Sequence, residues 1–171
     1  MVDAMGSFDV RRCSFRNLRP VFRLHCSVFP SPYSFWQLLY YKIRFPRYFL
    51  VACWEKEIVG YIIGGYSYVW RKGRIGEIIS LATDSRWRRQ GIAERLLTQV
   101  LEEYRSSYFS EVYLQVAVSN IPAQHLYRKL GFQRDKLLPG YYSNGEDAIL
   151  LRKSLDAASL KPSSQSPFPA S

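Results

Sequence analysis

Apolar positions recur along the chain in two rhythms, one close to 3.6 residues and one close to 2. Val21, Leu24 and Val28 keep helical spacing within Leu18–Phe29, and Pro30 follows as a stop. Ser34–Ile43 reads as a second short helix, with Ser34 able to cap it. In Gly91–Tyr104 the residues Ile92, Leu96, Leu97, Val100, Leu101 and Tyr104 fall on one face, the strongest helical signal in the chain. Ile121–Leu130 is a further helix, and Gly131 can end it. Between the helices lie strand patterns. Phe8–Cys13 is a short one, and Tyr48–Trp54 with Ile58–Trp70 predicts a hairpin turning at Glu55–Glu57. Gly76–Thr83 is apolar enough for a sheet interior, Glu111–Val118 alternates, and Phe132–Leu138 with Asp147–Leu151 predicts a closing pair. The order β-α-α-β-β-β-α-β-α-β-β implies an α/β or α+β domain with a mixed sheet.

Composition narrows this picture. Among 171 residues, 47% are hydrophobic and 22% charged, enough to bury one domain's core. Residues 156–171 are rich in Ser, Ala and Pro without apolar rhythm, so a domain over 7–154 and a disordered tail over 155–171 are expected. The net charge is +10, and residues 1–50 hold eight Arg or Lys against two Asp. A basic N-terminal third suits an anionic partner, whether RNA, a polyphosphate cofactor or an acidic surface. Cys13, Cys26 and Cys53 are odd in number and widely spaced, and only two histidines are present. Neither a disulfide framework nor a metal site is expected. Reduced cysteines and the lack of about 18 consecutive apolar residues predict a cytoplasmic chain with no membrane span.

The stretch that carries chemistry is Asp84–Ala93, where a strand ends, a basic loop with Arg86, Arg88 and Arg89 follows, and Gly91 opens the strongest helix. A helix N-terminus offers free N–H groups and a positive dipole end, and a glycine lets backbone approach a ligand. These are the elements of a phosphate cradle. It is neither a Walker loop nor a dinucleotide fingerprint, since the required glycines and the Lys-Ser/Thr pair are absent. Farther on, Asn120 follows a strand and opens a helix, and Tyr127 lies two turns along near the same face.

Together these segments resemble the GNAT superfamily of N-acetyltransferases. Its cofactor signature, Arg/Gln-x-x-Gly-x-Gly/Ala, reads Arg88-Arg89-Gln90-Gly91-Ile92-Ala93 here, and its second signature runs from Ser119-Asn120 through Ala123 and Leu126-Tyr127 to Gly131-Phe132. Gly140–Ala148 is similar to the tyrosine-rich loop of protein N-terminal acetyltransferases of the ribosomal-protein-alanine (RimI) and archaeal Ard types. Phe29-Pro30-Ser31-Pro32-Tyr33 is similar to the loop after their first helix. The resemblance spans about residues 8–153.

It implies a mixed, mostly antiparallel sheet of about seven strands with about four helices, in which two parallel central strands, 76–83 and 111–118, splay apart. It implies acetyl-CoA as co-substrate and no metal. Leu81, Ala82 and Thr83 on the splayed strand would hold the pantetheine arm, Arg88, Arg89, Gln90, Gly91, Ile92 and Ala93 the pyrophosphate with added charge from Arg86, and Asn120 would join them. Phe29, Pro30, Tyr33, Tyr141 and Tyr142 would form an aromatic slot for the acceptor. Many RimI-type chains carry a catalytic Glu where Gln115 stands, and Gln115 cannot take a proton. Glu77 is therefore the expected base and Tyr127 the expected acid. The implied acceptor is a protein N-terminus, a ribosomal protein among the candidates, with no stable nucleic-acid complex, no membrane partner and a monomer or weak dimer. An α-amine, of pKa about 8, asks less of such a base than a lysine near about 10.4. The alternatives are a lysine, polyamine or small-amine acetyltransferase on the same fold, and a non-catalytic acetyl-CoA- or RNA-binding module.

Overall fold

A computed structural model describes residues 8–69 and 73–155. The expected tail, from residue 156 on, and Trp70 at the end of an expected strand lie outside the described residues. Leu155, the first residue assigned to that tail, is buried in the core and its N–H donates to Ser110 O.

The elements follow the order read from the sequence. They are β1 (Asp9–Arg12), α1 (Leu18–Val28), α2 (Phe35–Arg44), β2 (Phe49–Trp54), β3 (Glu57–Val69), β4 (Gly73–Thr83), α3 (Ile92–Ser106), β5 (Glu111–Ala117), α4 (Ile121–Lys129), β6 (Gln133–Leu138) and β7 (Ala148–Ser154). Single 3-10 turns at Phe15–Asn17 and Ser85–Trp87 precede α1 and α3. Ser34 caps α2, its hydroxyl accepting from Gln37 N while the Gln37 side chain accepts from Ser34 N. That reciprocal pair satisfies two donors the helix leaves free. β4 starts three residues earlier than its apolar run suggests, because the β3–β4 hairpin pairs as far as Val69↔Gly73.

The seven strands form one sheet in the order β1-β2-β3-β4-β5-β7-β6. Every neighbouring pair is antiparallel except β4 and β5. One face carries a core built on α3, with Leu96, Leu97, Val100 and Tyr104 against Leu50, Ile62, Val112 and Leu114. The other face is covered by α1 and α2, with Val21, Leu24 and Leu38 against Phe49, Val51, Tyr61 and Ile63. Alternation along β2 and β3 thus buries both faces, while β1 and β6 at the sheet edges stay largely exposed. Among the described residues no helix is long and apolar enough to cross a membrane.

Two irregularities shape the sheet's centre. β4 and β5 pair only over Ile75–Ile78 with Glu111–Leu114, and beyond that point they separate. The divergence expected between these two parallel central strands lies in the second half of each. The first half is an ordinary parallel ladder. The second irregularity is a bulge in β4. Ile63 faces Ser80 and Gly64 faces Ile78, which leaves Ile79 as the extra residue. Side chains two or four apart normally share a face. Here Ile78 packs into the α3-side core while Ala82 packs into the α1/α2-side core. Tyr104 buttresses this region from α3. Its buried hydroxyl lies 2.7 Å from Gly65 O and 2.9 Å from Glu77 O and shares its proton between them. Gly64 is obligatory beside it, since a Cβ there would stand 2.4 Å from Tyr104 Oη.

Candidate active site

The site grows from the seam where β4 and β5 part. Past Ile78, the edge of β4 toward β5 has no strand partner, so its backbone polar groups are open to a ligand. Leu81, Ala82 and Thr83 lie on that edge. Thr83 Oγ1 is buried and has no hydrogen-bond partner, an unspent polar atom at the edge's end. Across the seam the carbonyls of Ala117 and Val118 are taken by the Gln124 side chain, at 3.1 and 2.8 Å. At that end of the seam β5 is therefore partly satisfied from α4.

The mouth of the seam is the loop into α3. Asp84 caps the short turn at Ser85–Trp87, and Trp87 packs on Trp54 of β2 with ring centroids 4.8 Å apart. Arg89 and Gly91 both have positive φ, +61° and +78°, so the chain folds back before the helix begins. At Gly91 the left-handed backbone itself demands glycine, because a Cβ there would meet nothing within 4 Å. The first N–H groups of α3, from Ile92 and Ala93, have no acceptor within the helix. Arg88, Arg89 and Gln90 are exposed beside them. Arg86 departs from expectation. Its guanidinium is held by Asp84 and Glu57, so its charge is already matched. Asn120 is the N-cap of α4, with Oδ1 accepting from Ala123 N at 3.3 Å. These groups fit a pantetheine arm and a pyrophosphate: a free strand edge, an unpaired hydroxyl, and helix N–H donors flanked by cations.

On the α1/α2 side of the seam stands Glu77, partly buried and level with Tyr113 of β5 in the parallel ladder. Tyrosines gather around it. Burial pushes Tyr33 up to about 12, with Tyr41, Tyr141, Glu77 and Tyr142 adding to the shift. Tyr113 is also pushed up to about 12, by burial first and Glu77 next. Tyr41 and Tyr141 are raised by burial and then by Glu77. These phenols stay protonated at neutral pH, which leaves a carboxylate as the ordinary base in the group. Gln115 lies one step beyond Tyr113 on the same face of β5.

The loop Phe29–Ser34 and the loop Pro139–Asp147 form the rims. They meet where Ser31 Oγ and Ser143 Oγ stand 3.5 Å apart. The second loop is tied down by Glu146, whose carboxylate accepts from Ser119 N at 3.0 Å and from the Ser119 hydroxyl. Tyr141 and Tyr142 meet edge to face at 5.1 Å. Phe29 is partly buried against His25, and Pro30 is exposed. Tyr33 and Tyr141 thus lie near Glu77, Tyr142 stands beside Tyr141 and Glu146, and Pro30 lies at the rim.

Tyr127 occupies the opposite side. It is buried in the α3-side core against Phe132, and burial, reinforced by Tyr142, pushes its phenol far above the usual range. That phenol stays protonated at neutral pH. Tyr127 and Glu77 thus lie on opposite faces of the sheet where the strands part. Tyr41, Tyr113, His25 and Gln124 were not singled out from the sequence. Tyr113 carried a usable signal, since parallel pairing of the two central strands sets it beside Glu77 once the register is known.

Comparison with known proteins bears on this geometry. The family model described as acetyltransferase (GNAT) family matches residues 18–132. An N-alpha-acetyltransferase of Saccharolobus solfataricus is 32% identical over 161 residues, covering 90% of this chain and 96% of its own length. Ard1 from Thermoplasma volcanium superposes with a TM-score of 0.79 at 27% identity, over 86% of this chain and 97% of that one. A chain of the NatC complex, solved bound to Gag peptide and CoA, superposes with a TM-score of 0.83 at 25% identity, over 88% and 99%.

Proposed function

The chain belongs to the acetyltransferase (GNAT) family, and from that premise we propose that it transfers the acetyl group of acetyl-CoA to the α-amine of a protein N-terminus. The observation that carries this reading is the seam. It joins a free strand edge and a helix N-terminus on the donor side to Glu77 within a cluster of tyrosines on the acceptor side. The relatives named N-alpha-acetyltransferase support the choice of acceptor. The basic first 50 residues suit acceptors presented near nucleic acid, ribosomal proteins among them.

When bound, acetyl-CoA supplies the electrophile, a thioester carbonyl. The chain's own residues do the rest. Leu81 to Thr83 offer backbone N–H and C=O groups that orient the pantetheine arm. Arg88 to Ala93 receive the pyrophosphate on N–H groups and positive charge. Tyr33, Tyr141 and Tyr142, with Tyr41 and Tyr113, wall a slot that admits an extended N-terminus. Glu77 takes the proton of the attacking amine at its carboxylate, and Tyr127 gives a proton to the departing sulfur from its phenol. Burial keeps this phenol protonated at neutral pH, so its proton is in place when the sulfur departs.

The test is incubation with acetyl-CoA and a library of peptides with free N-termini, read by mass spectrometry. Acetylation should fall on the α-amine and vanish for peptides blocked at that position. Modification of lysine side chains alone would replace this reading with that of a lysine acetyltransferase.

A further inference from the structure

His25 and Ser80 are buried polar residues in an otherwise apolar interior, and one hydrogen-bonded chain joins them. Tyr33 N donates to His25 Nε2 at 2.7 Å. A backbone N–H can only donate, so Nε2 carries the lone pair and the ring proton sits on Nδ1. That proton is directed at Tyr61 Oη, and Tyr61 in turn reaches Ser80 Oγ at 2.9 Å. The His25 ring also stacks on the Tyr33 ring, with centroids 4.8 Å apart and planes inclined by 21°. Tyr33 is therefore held twice, through backbone and ring. The chain starts at the acceptor loop and ends at Ser80, the first residue past the β4 bulge. Burial holds the imidazole down at about 4, so both bonds persist at neutral pH. A position on α1 between Leu24 and the β3 core would pack well with an aliphatic side chain. A polar chain there imposes geometry that packing alone does not.

We propose that His25 is a positioning residue for the acceptor: its imidazole fixes Tyr33 in the slot and, through Tyr61, ties that loop to Ser80 on the strand bearing the open edge. This rests on the N-terminal acetyltransferase reading above.

The experiment compares His25→Asn and His25→Gln by steady-state kinetics on an N-terminal peptide that the wild type acetylates. Asn places an amide near Nδ1 and leaves Tyr33 N–H without an acceptor. Gln places an amide near Nε2 and can restore it. His25→Asn should raise the peptide KM about tenfold, the scale of one buried hydrogen bond. Its kcat and acetyl-CoA KM should stay within about twofold. His25→Gln should bring the peptide KM back to within about threefold of wild type. In a Tyr33→Ala background, His25→Asn should add less than about twofold, because the two act through one contact. An unchanged peptide KM, or an effect that persists in full without Tyr33, overturns the proposal. Should His25→Asn show no acetyl-CoA-dependent rise in Tm, as an unfolded chain would, Tyr61→Phe replaces it. That variant should raise the peptide KM about threefold, and no rise overturns the proposal. Hydrogen exchange at the Tyr33 amide reads the same hold without turnover and should quicken about tenfold in His25→Asn. A wild type that acetylates no peptide N-terminus defeats the functional reading, while this exchange rate still decides whether His25 holds the loop.

Discussion

Tyr104→Phe removes one oxygen from the centre of the sheet and should cost more than its size suggests. The Tyr104 side chain is fully buried, and its hydroxyl serves the carbonyls of Gly65 and Glu77 at 2.7 and 2.9 Å. Phe keeps the ring stacked on Tyr48, 4.6 Å away. Both carbonyls, however, lose their shared donor in a place water does not reach. Stranding a buried acceptor costs about 1–3 kcal/mol. For a domain of this size each kcal/mol lowers Tm by about 2–4 °C, so a value near 2 kcal/mol predicts a drop of about 4–8 °C. Gly64→Ala supplies an internal check. Its Cβ would stand 2.4 Å from Tyr104 Oη and 3.0 Å from Tyr48 Cβ, so it should destabilise by about 1–3 kcal/mol. With Tyr104→Phe in place the first clash is gone, and the double variant should be more stable than the two losses predict by addition. Differential scanning calorimetry on the four proteins measures the cycle. A Tm for Tyr104→Phe within about 1 °C of wild type, or strict additivity, refutes the account of Tyr104 as the buttress of the bulge.

Other expectations concern the reaction and its pH dependence. Glu77→Gln should lower kcat/KM by about 10²-fold or more and weaken its acidic limb, with partial recovery at high pH where more acceptor amine is already neutral. Gln115→Glu should then gain less than about twofold, and a silent Glu77→Gln beside a tenfold gain from Gln115→Glu would reverse the assignment. Tyr127→Phe should lower kcat far more than acetyl-CoA affinity, and a change under about threefold with chemistry rate-limiting would make Tyr127 a packing residue. Gly91→Glu should abolish the rise in Tm that acetyl-CoA produces, by strained backbone and by negative charge at the α3 N-terminus. His25 titrates near 6.5 in the unfolded chain and at about 4 when buried, so its contribution is complete above about 6.5. It is lost as pH falls through that window toward 4, and the gap corresponds to about 3 kcal/mol. Urea midpoints at pH 7.5 and 4.5 should differ less in His25→Gln than in wild type.

The helices were legible because their apolar faces are long and uninterrupted, as in Ile92 to Tyr104, and because Ser34 and Gly131 mark ends by local chemistry alone. The turn into α3, proposed above as the phosphate site, was legible as backbone for the same reason, since Gly91 and its helix are adjacent in sequence. The acceptor side was legible only in part. Glu77, Tyr33 and Tyr141 come from three distant segments, and Tyr41 and Tyr113 join them through strand register and helix packing that periodicity does not encode. The bulge at Ile79 is invisible in GEIISLAT, because it lies in the pairing with β3, where Gly64 and Tyr104 come from other elements. Arg86 read as a free cation because its partners, Glu57 and Asp84, are chosen by the β2–β3 turn and the loop cap.

The short ladder between β4 and β5 also makes the sheet a joint between two separately woven pieces. Strands β1 to β4 are contiguous in the chain and paired along their lengths, and so are β5 to β7. Among the described residues, four pairs of the strand ladder cross from one piece to the other, helped by α3 and α4 packing on that face. A ligand lodged between the pieces contacts both, and so acts on the protein as mortar as well as reactant. The enzyme would then be mechanically tightest when loaded with donor and loosest after release, with the weakest line of the molecule running through its own reaction centre.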